Sequence, residues 1–330
     1  MPLASGGSNE PATLGTLCIP CHRKRLISRV PYADACLHLE PTGTTTNGCD
    51  GPPQQVGSAK PIASRGGRRL EAISRGFRIH YVDEGTGPAL VLLPGLLMSA
   101  ARWRAIGYID QFARDFRVLA IDPLGHGLSE KPHNPGAYRM EDCAADVRAV
   151  LDHATVDRAH VWGYSRGTSI AVALAASTPE RVISLVIGGG SLYLRPQPRS
   201  PLPARSLEMV AALNAGDWGR FWTAMGIDDR ETQTILEVGQ DPLAIAASIE
   251  GLALSSFFNI AFDPAVLLRP PLVYSGSFES SISDDRSDAA AAGAEFHEIP
   301  GRGHAGAFQD IVAVAPIVSE YLSRKTPRDA

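Results

Sequence analysis

From about residue 69 onward, apolar runs of strand length alternate with stretches whose apolar residues recur every three or four positions. That alternation leaves few folds open. A run that is apolar throughout forms a strand buried on both faces, and a helix between two such strands returns the chain parallel to itself. "RLEAISR" and "FRIHYVDEG" predict a hairpin closed by a Gly turn. The runs "ALVLLPG" (89–95), "FRVLAID" (116–122), "AHVWGYS" (159–165), "RVISLVIGG" (181–189), "PLVYSG" (271–276) and "EFHEIPG" predict six further strands. Between them, helices are expected over 100–115, 140–154, "TSIAVALAAST", 284–293 and 308–323. Over 140–154, Met140, Ala144, Val147 and Leu151 share one face. The class is α/β: a mostly parallel eight-stranded sheet with helices on both faces.

The alternation breaks between about 191 and 268. There "ARSLEMVAALNAG", "DWGRFWTAMG", "RETQTILEVG" and "PLAIAASIEGLALSSFF" predict helices with no strand between them. A helical cap inserted after the sixth strand is expected over 191–268, with the core in two parts, 67–190 and 269–325. Such a cap lies over the carboxyl edge of the sheet, where open α/β sheets bind ligands.

Residues 1–66 differ from the rest in composition. Residues 1–69 hold eight Lys/Arg and four Asp/Glu, so they carry +4 and the remainder -8 of the total of -4. Pro, Gly, Ser and Thr dominate, and a disordered basic tail is expected. Cys18, Cys21, His22, Cys36 and Cys49 offer a zinc module as the alternative, but only one CxxC pair is present. The overall charge does not point to nucleic-acid binding. No apolar run approaches the roughly 18 residues of a membrane span. "MPLASGGSNEPATLG" lacks the charged and apolar regions of a secretory signal, so a cytoplasmic location is expected.

One polar residue stands out against this background. In "HVWGYSRGTSIAVALAAS", Ser165 lies between Gly163 and Gly167 where a buried strand turns into a helix. Gly-x-Ser-x-Gly in that setting is a nucleophile elbow: glycines leave room for a strained turn that projects the hydroxyl above the sheet. The helix behind it offers free N–H groups to an oxyanion. "LPGLLMS" (93–99) ends another strand in Pro94-Gly95, and "GRGHAG" (301–306) sets His304 in a glycine-rich loop after the last strand.

The elbow, the turn formed by Asp122, Gly125, Gly127 and Ser129, the Pro-Gly loop and the late G-x-G-H resemble the α/β-hydrolase superfamily, in its chain order, over roughly residues 70 to 325. The resemblance implies a Ser-acid-His triad with Ser165 as nucleophile and His304 as general base. It makes the N–H groups of Leu96 and Arg166 the oxyanion hole. The family's acid follows the seventh strand as Gly-x-x-Asp, and here "YSGSFESSISDD" puts Glu279 at that place, with Asp284 and Asp285 as rivals. Serine at the elbow sets the chain apart from haloalkane dehalogenases and epoxide hydrolases, which use aspartate there. The expected reaction is cleavage of an ester, lactone or similar carbonyl through an acyl-enzyme, with no metal or organic cofactor. Cofactor-free haloperoxidases (perhydrolases), C–C bond hydrolases and a non-catalytic ligand receptor on the same fold are the alternatives.

Leu97, Met98, Trp218, Phe221 and Trp222, together with Met209 and Met225, are expected to form an apolar substrate pocket between loop and cap, or else the core of the cap. The Arg166 side chain is either solvated or placed to favour substrates that carry a carboxylate.

Overall fold

The structure is a computed structural model, and it describes residues 68–324 apart from 230, 231, 234, 235, 237 and 238. The tail of residues 1–66, with its four cysteines, lies outside the described residues. So does most of the helix expected over 230–239.

Eight strands follow the apolar runs: β1 (Arg68–Ser74), β2 (Phe77–Glu84), β3 (Ala89–Leu93), β4 (Arg117–Ile121), β5 (Ala159–Tyr164), β6 (Val182–Gly188), β7 (Leu272–Gly276) and β8 (Glu295–Ile299). They form one sheet in the order β1-β2-β4-β3-β5-β6-β7-β8. β2 is antiparallel to β1 and β4, and the remaining pairs are parallel. Every residue of β3, β5 and β7 is buried, as an apolar run between two helical layers must be.

Successive side chains in a strand face opposite ways, and the two cores divide accordingly. Val91, Leu93 and Val161 join one core with α3 (Met140–His153) and α4 (Arg166–Ser177). Leu90, Leu92 and Trp162 join the other, with α1 (Ala100–Ile106) and α2 (Tyr108–Phe112). On that face Trp162 meets Trp103 and Tyr108 edge-on, at ring separations of 4.9 and 5.0 Å.

Between β6 and β7 come α5 (Ala204–Asn214), α6 (Trp218–Met225) and α7 (Pro242–Glu250). They enclose an apolar cluster of their own, which includes Met209, Leu213, Phe221, Trp222, Ile245 and Ile249. After β7 follow α8 (Ile282–Ala291), α9 (His304–Gln309) and α10 (Ile311–Ser323).

Three helices differ from their expected extents. The stretch 100–115 is divided at Gly107, whose left-handed φ of 102° ends α1. The last helix is divided at Asp310, whose carboxylate accepts the Ala313 N–H and starts α10. The run from 242 leaves α-helical geometry after Glu250, where Gly251 lies so close to Tyr138 that an added Cβ would sit 2.7 Å from the Tyr138 Cβ. One expectation needs correction: Pro242–Asn259 is long and apolar enough to cross a membrane by length and composition. More than half of that stretch, 56%, is buried inside the protein, which is where a core helix of this composition belongs.

The glycine-rich turn after β4 is structural. The Asp122 carboxylate accepts the N–H groups of Ala100 (2.6 Å) and Leu128 (2.9 Å) and meets His80 Nδ1 at 2.9 Å. It thereby ties β2, the start of α1 and the turn together. His126 in the same turn is fully buried, with Nδ1 3.1 Å from the Leu124 carbonyl. Burial, reinforced by the nearby Arg166 charge, lowers its pKa from 6.5 to about 4. The folded protein therefore keeps His126 neutral where the unfolded chain takes up a proton. Stability is fully present above the unfolded pKa of 6.5 and is lost as the pH falls from there toward 4, by on the order of 3 kcal/mol. We expect His126→Asn to show a smaller drop in urea midpoint between pH 7 and pH 4.5 than wild type. An equal drop in both proteins would refute this account.

Candidate active site

The chain leaves β5 through Gly163-Tyr164 and enters α4 at Arg166, so Ser165 occupies the corner. Its backbone, at φ 52° and ψ -116°, is strained for a residue with a side chain. The flanking glycines make the corner feasible. A Cβ on Gly163 would lie 2.4 Å from the Gly167 carbonyl oxygen, and one on Gly167 would lie 2.1 Å from the Leu93 carbonyl oxygen. The Ser165 N–H donates to the Gly188 carbonyl on β6 at 2.8 Å, which anchors the turn to the sheet.

His304 reaches this corner from the other side of the sheet's carboxyl edge. Its Nε2 lies 2.9 Å from Ser165 Oγ, and its Nδ1 lies 2.6 Å from Glu279 Oε1. His304 opens α9 rather than preceding a helix, with Gly303 as the extended residue before it. Tyr164 holds the backbone in place, because its hydroxyl donates to the His304 carbonyl oxygen.

The loop bearing Glu279 is bonded to the loop bearing His304. Phe278 N–H donates to the Arg302 carbonyl (2.9 Å), and Gly301 N–H donates to Ser277 Oγ (2.8 Å). Glu279 N–H closes a turn on the Gly276 carbonyl at 3.0 Å. Phe278 points outward and is 75% exposed, so the turn directs Glu279 inward. The Glu279 side chain is only 10% exposed, against 49% for His304.

The two rival acids lie elsewhere. Asp284 is exposed in the first turn of α8. Asp285, in the same turn, is buried. Its Oδ2 accepts the hydroxyls of Ser275 (2.7 Å) and Ser281 (3.1 Å), and burial raises its pKa.

The turn from Gly95 to Met98, closed by a 3.1 Å bond from Met98 N–H to the Gly95 carbonyl, lies against Ser165. An added Cβ on Gly95 would approach Ser165 Cβ to 3.3 Å. Among the described residues, the N–H groups of Leu96 and Arg166 have no hydrogen-bond acceptor. Both residues border the cavity at Ser165.

That cavity has two lobes sharing Ser165, Arg166, Ser169, Tyr193 and Arg199, with volumes of about 690 and 700 Å³. The first is the more apolar, with Met209, Met225, Ile249, Leu252 and Phe258 on its walls. The second carries Ser191, Gln197 and Arg195.

The expected pocket residues need correction here. Leu97, Phe221 and Trp222 are buried inside the apolar cluster of the helical insertion, and Trp218 packs against it. Met98 packs against the core on the α1 face of the sheet. None of the five lines either lobe. The cause is local: Leu97, at φ 63°, turns its side chain toward the insertion, and the Leu97 carbonyl accepts Gln240 Nε2 at 2.9 Å. Of the insertion's residues flagged from sequence, Met209 and Met225 do line the cavity.

Sequence reasoning missed Tyr193, Ser169 and Arg199. Tyr193 hydroxyl and Ser169 Oγ are 2.6 Å apart on the cavity wall. Ser169 comes one turn after Ser165 on α4, a spacing visible in the sequence. Nothing in the sequence marks Tyr193 or Arg199.

Comparison with known proteins agrees with this fold. A family model described as the alpha/beta hydrolase fold matches residues 88–230. A solved structure of the bottromycin epimerase BotH in complex with bottromycin A2 has a TM-score of 0.66 at 22% identity, covering 77% of this chain and 99% of that one. The chain has the α/β-hydrolase fold. Haloalkane dehalogenase 2 of Mycobacterium bovis is 40% identical over 115 residues, 35% of this chain and 39% of that protein. The 2-hydroxy-6-oxononadienedioate/2-hydroxy-6-oxononatrienedioate hydrolase of Burkholderia vietnamiensis is 39% identical over 140 residues, 42% of this chain and 48% of that protein. These alignments span less than half the length of either relative. An epimerase on the same architecture shows that this α/β-hydrolase fold does not by itself fix the reaction.

Proposed function

We propose that the protein is a serine hydrolase that cleaves an ester, lactone or similar carbonyl substrate with an apolar part. The observation that carries this reading is the continuous hydrogen-bonded series from Ser165 Oγ through His304 to Glu279. Ser165 Oγ attacks the carbonyl carbon while His304 Nε2 takes its proton. The negative oxygen that forms is stabilised by the N–H groups of Leu96 and Arg166, each worth about 10²- to 10³-fold in kcat by analogy with single oxyanion donors. His304 returns the proton to the leaving oxygen, and the acyl group stays on Ser165. A water activated by His304 then releases the acid. Glu279 keeps the Nδ1 proton in place and balances the charge of the imidazolium in both halves. The helical insertion acts as a cap, and its Met209, Met225 and Ile249 receive the apolar part of the substrate.

The test is a panel of p-nitrophenyl esters of increasing chain length, together with a fluorophosphonate probe. We expect turnover of at least one ester and stoichiometric labelling of Ser165. Tight binding of esters with neither turnover nor labelling would make the protein a receptor instead. A second reading, C–C bond hydrolysis by the same three side chains, is favoured by the identity to the Burkholderia vietnamiensis hydrolase. Labelling of Ser165 without turnover of any ester would select it.

A further inference from the structure

Two arginines, Arg166 and Arg199, border both lobes of the cavity beside Ser165. Neither has a carboxylate partner among the described residues. Arg166 follows Ser165 directly, and its Nε is buried with no hydrogen-bond partner. The groups that face its guanidinium are the Cys143 thiol, within hydrogen-bonding reach, the phenols of Tyr138 and Tyr193, and the buried His126 imidazole. Arg199 lies with its guanidinium 5.1 Å from the centre of the Phe258 ring, and its one side-chain hydrogen bond among the described residues, to Gln197 Oε1, is a long one of 3.4 Å.

The acids around the cavity are engaged elsewhere or exposed. Asp288 is held by Arg195 at 2.9 Å, Asp285 by two serines and Glu279 by His304. Asp229 accepts the Thr232 N–H at 2.7 Å, while Asp228 and Asp284 are exposed. Arg205, which borders the first lobe, gives its donors to the carbonyls of Ala224 and Met225. Positive charge at Arg166 and Arg199 is thus left uncompensated where water is partly excluded, an arrangement that is costly until an anion arrives.

We propose that the substrate carries a carboxylate, bound by Arg166 and Arg199 beside Ser165, with its apolar part in the lobe walled by Met209, Met225 and Leu252. The chemical class is a half-ester of a dicarboxylic acid, or a lactone bearing a free acid. Water adds across the ester C–O bond, giving the dicarboxylate and the alcohol. The ester cleavage rests on the serine-hydrolase reading; the anion site does not.

Monomethyl adipate and its neutral counterpart, dimethyl adipate, separate the two. With wild-type protein, kcat/KM for the half-ester should exceed that for the diester by at least about tenfold, the size of one charge-assisted hydrogen bond. The advantage should shrink as salt is raised. Binding of the same two esters to Ser165→Ala, measured by calorimetry, should show the same order of preference without turnover. Arg199→Gln, checked for folding by circular dichroism, should abolish the preference chiefly through KM, and Arg199→Lys should restore part of it. Equal binding of the two esters by Ser165→Ala, or a preference that survives Arg199→Gln, would overturn the anion site. Selective binding with no hydrolysis by wild type would uphold the anion site and overturn the hydrolase reading.

Discussion

Ser165→Ala should lower ester turnover by on the order of 10⁴- to 10⁶-fold while the protein stays folded, as nucleophile removal does where a triad acts as a unit. The substitution deletes a single atom, the Oγ that lies 2.9 Å from His304 Nε2. It leaves the strained corner to a residue with the same Cβ, and the contacts of Gly163 and Gly167 with neighbouring backbone are untouched. The apolar cores lie below the corner, so the urea midpoint should shift little. The Leu96 and Arg166 N–H groups remain, and the residual rate expected is what the proposed oxyanion donors alone would give. A loss below about 10²-fold would show that another group attacks the substrate. Fluorophosphonate labelling should vanish in the same variant.

Glu279→Gln should cost about 10⁴-fold in kcat with little change in stability. Glu279 Oε1 lies 2.6 Å from His304 Nδ1, and a carboxylate can only accept there. That fixes the proton on Nδ1 and leaves Nε2 free to take the proton of Ser165. A glutamine can turn its amide nitrogen toward Nδ1, which moves the ring proton to Nε2 and blocks proton uptake from the serine. The loss should appear in kcat rather than in KM, because a carboxylate bonded to Nδ1 acts through the base. Asp284→Asn should remain near wild type, since Asp284 is exposed on α8. Asp285→Asn should alter stability modestly through its bonds to Ser275 and Ser281, without a comparable loss of kcat. A silent Glu279→Gln beside an inactive aspartate variant would reassign the acid.

The sequence alone determined those features that depend on neighbours along the chain. Burial on both faces demands uninterrupted apolar runs, which made the central strands legible; the Gly turn marked the β1–β2 hairpin, and the loss of alternation marked the helical interruption after the sixth strand. The elbow was legible because only glycine at 163 and 167 permits such close backbone contact. The family resemblance pointed to Glu279, three residues past Gly276, with Asp284 and Asp285 as rivals, and it is Glu279 that lies 2.6 Å from His304 Nδ1. The helix breaks at Gly107 and Asp310 were not legible, because apolar periodicity continues through both positions while backbone conformation and capping decide the ends.

The cavity wall belongs to tertiary structure. An aromatic or methionine on an amphipathic helix has the same pattern whether it faces a ligand or a neighbouring helix. Phe221 and Trp222 therefore looked like pocket residues, yet they are buried in the insertion's own core. Met209 and Met225 carry no stronger signal and do face the cavity. Arg166 was ambiguous for a related reason. Its charge suits solvent or ligand equally in sequence, and only packing against Cys143, Tyr138 and Tyr193 takes its Nε out of water with no acid to pair it among the described residues. Desolvation is a property of surroundings assembled from distant segments, and no local pattern encodes it.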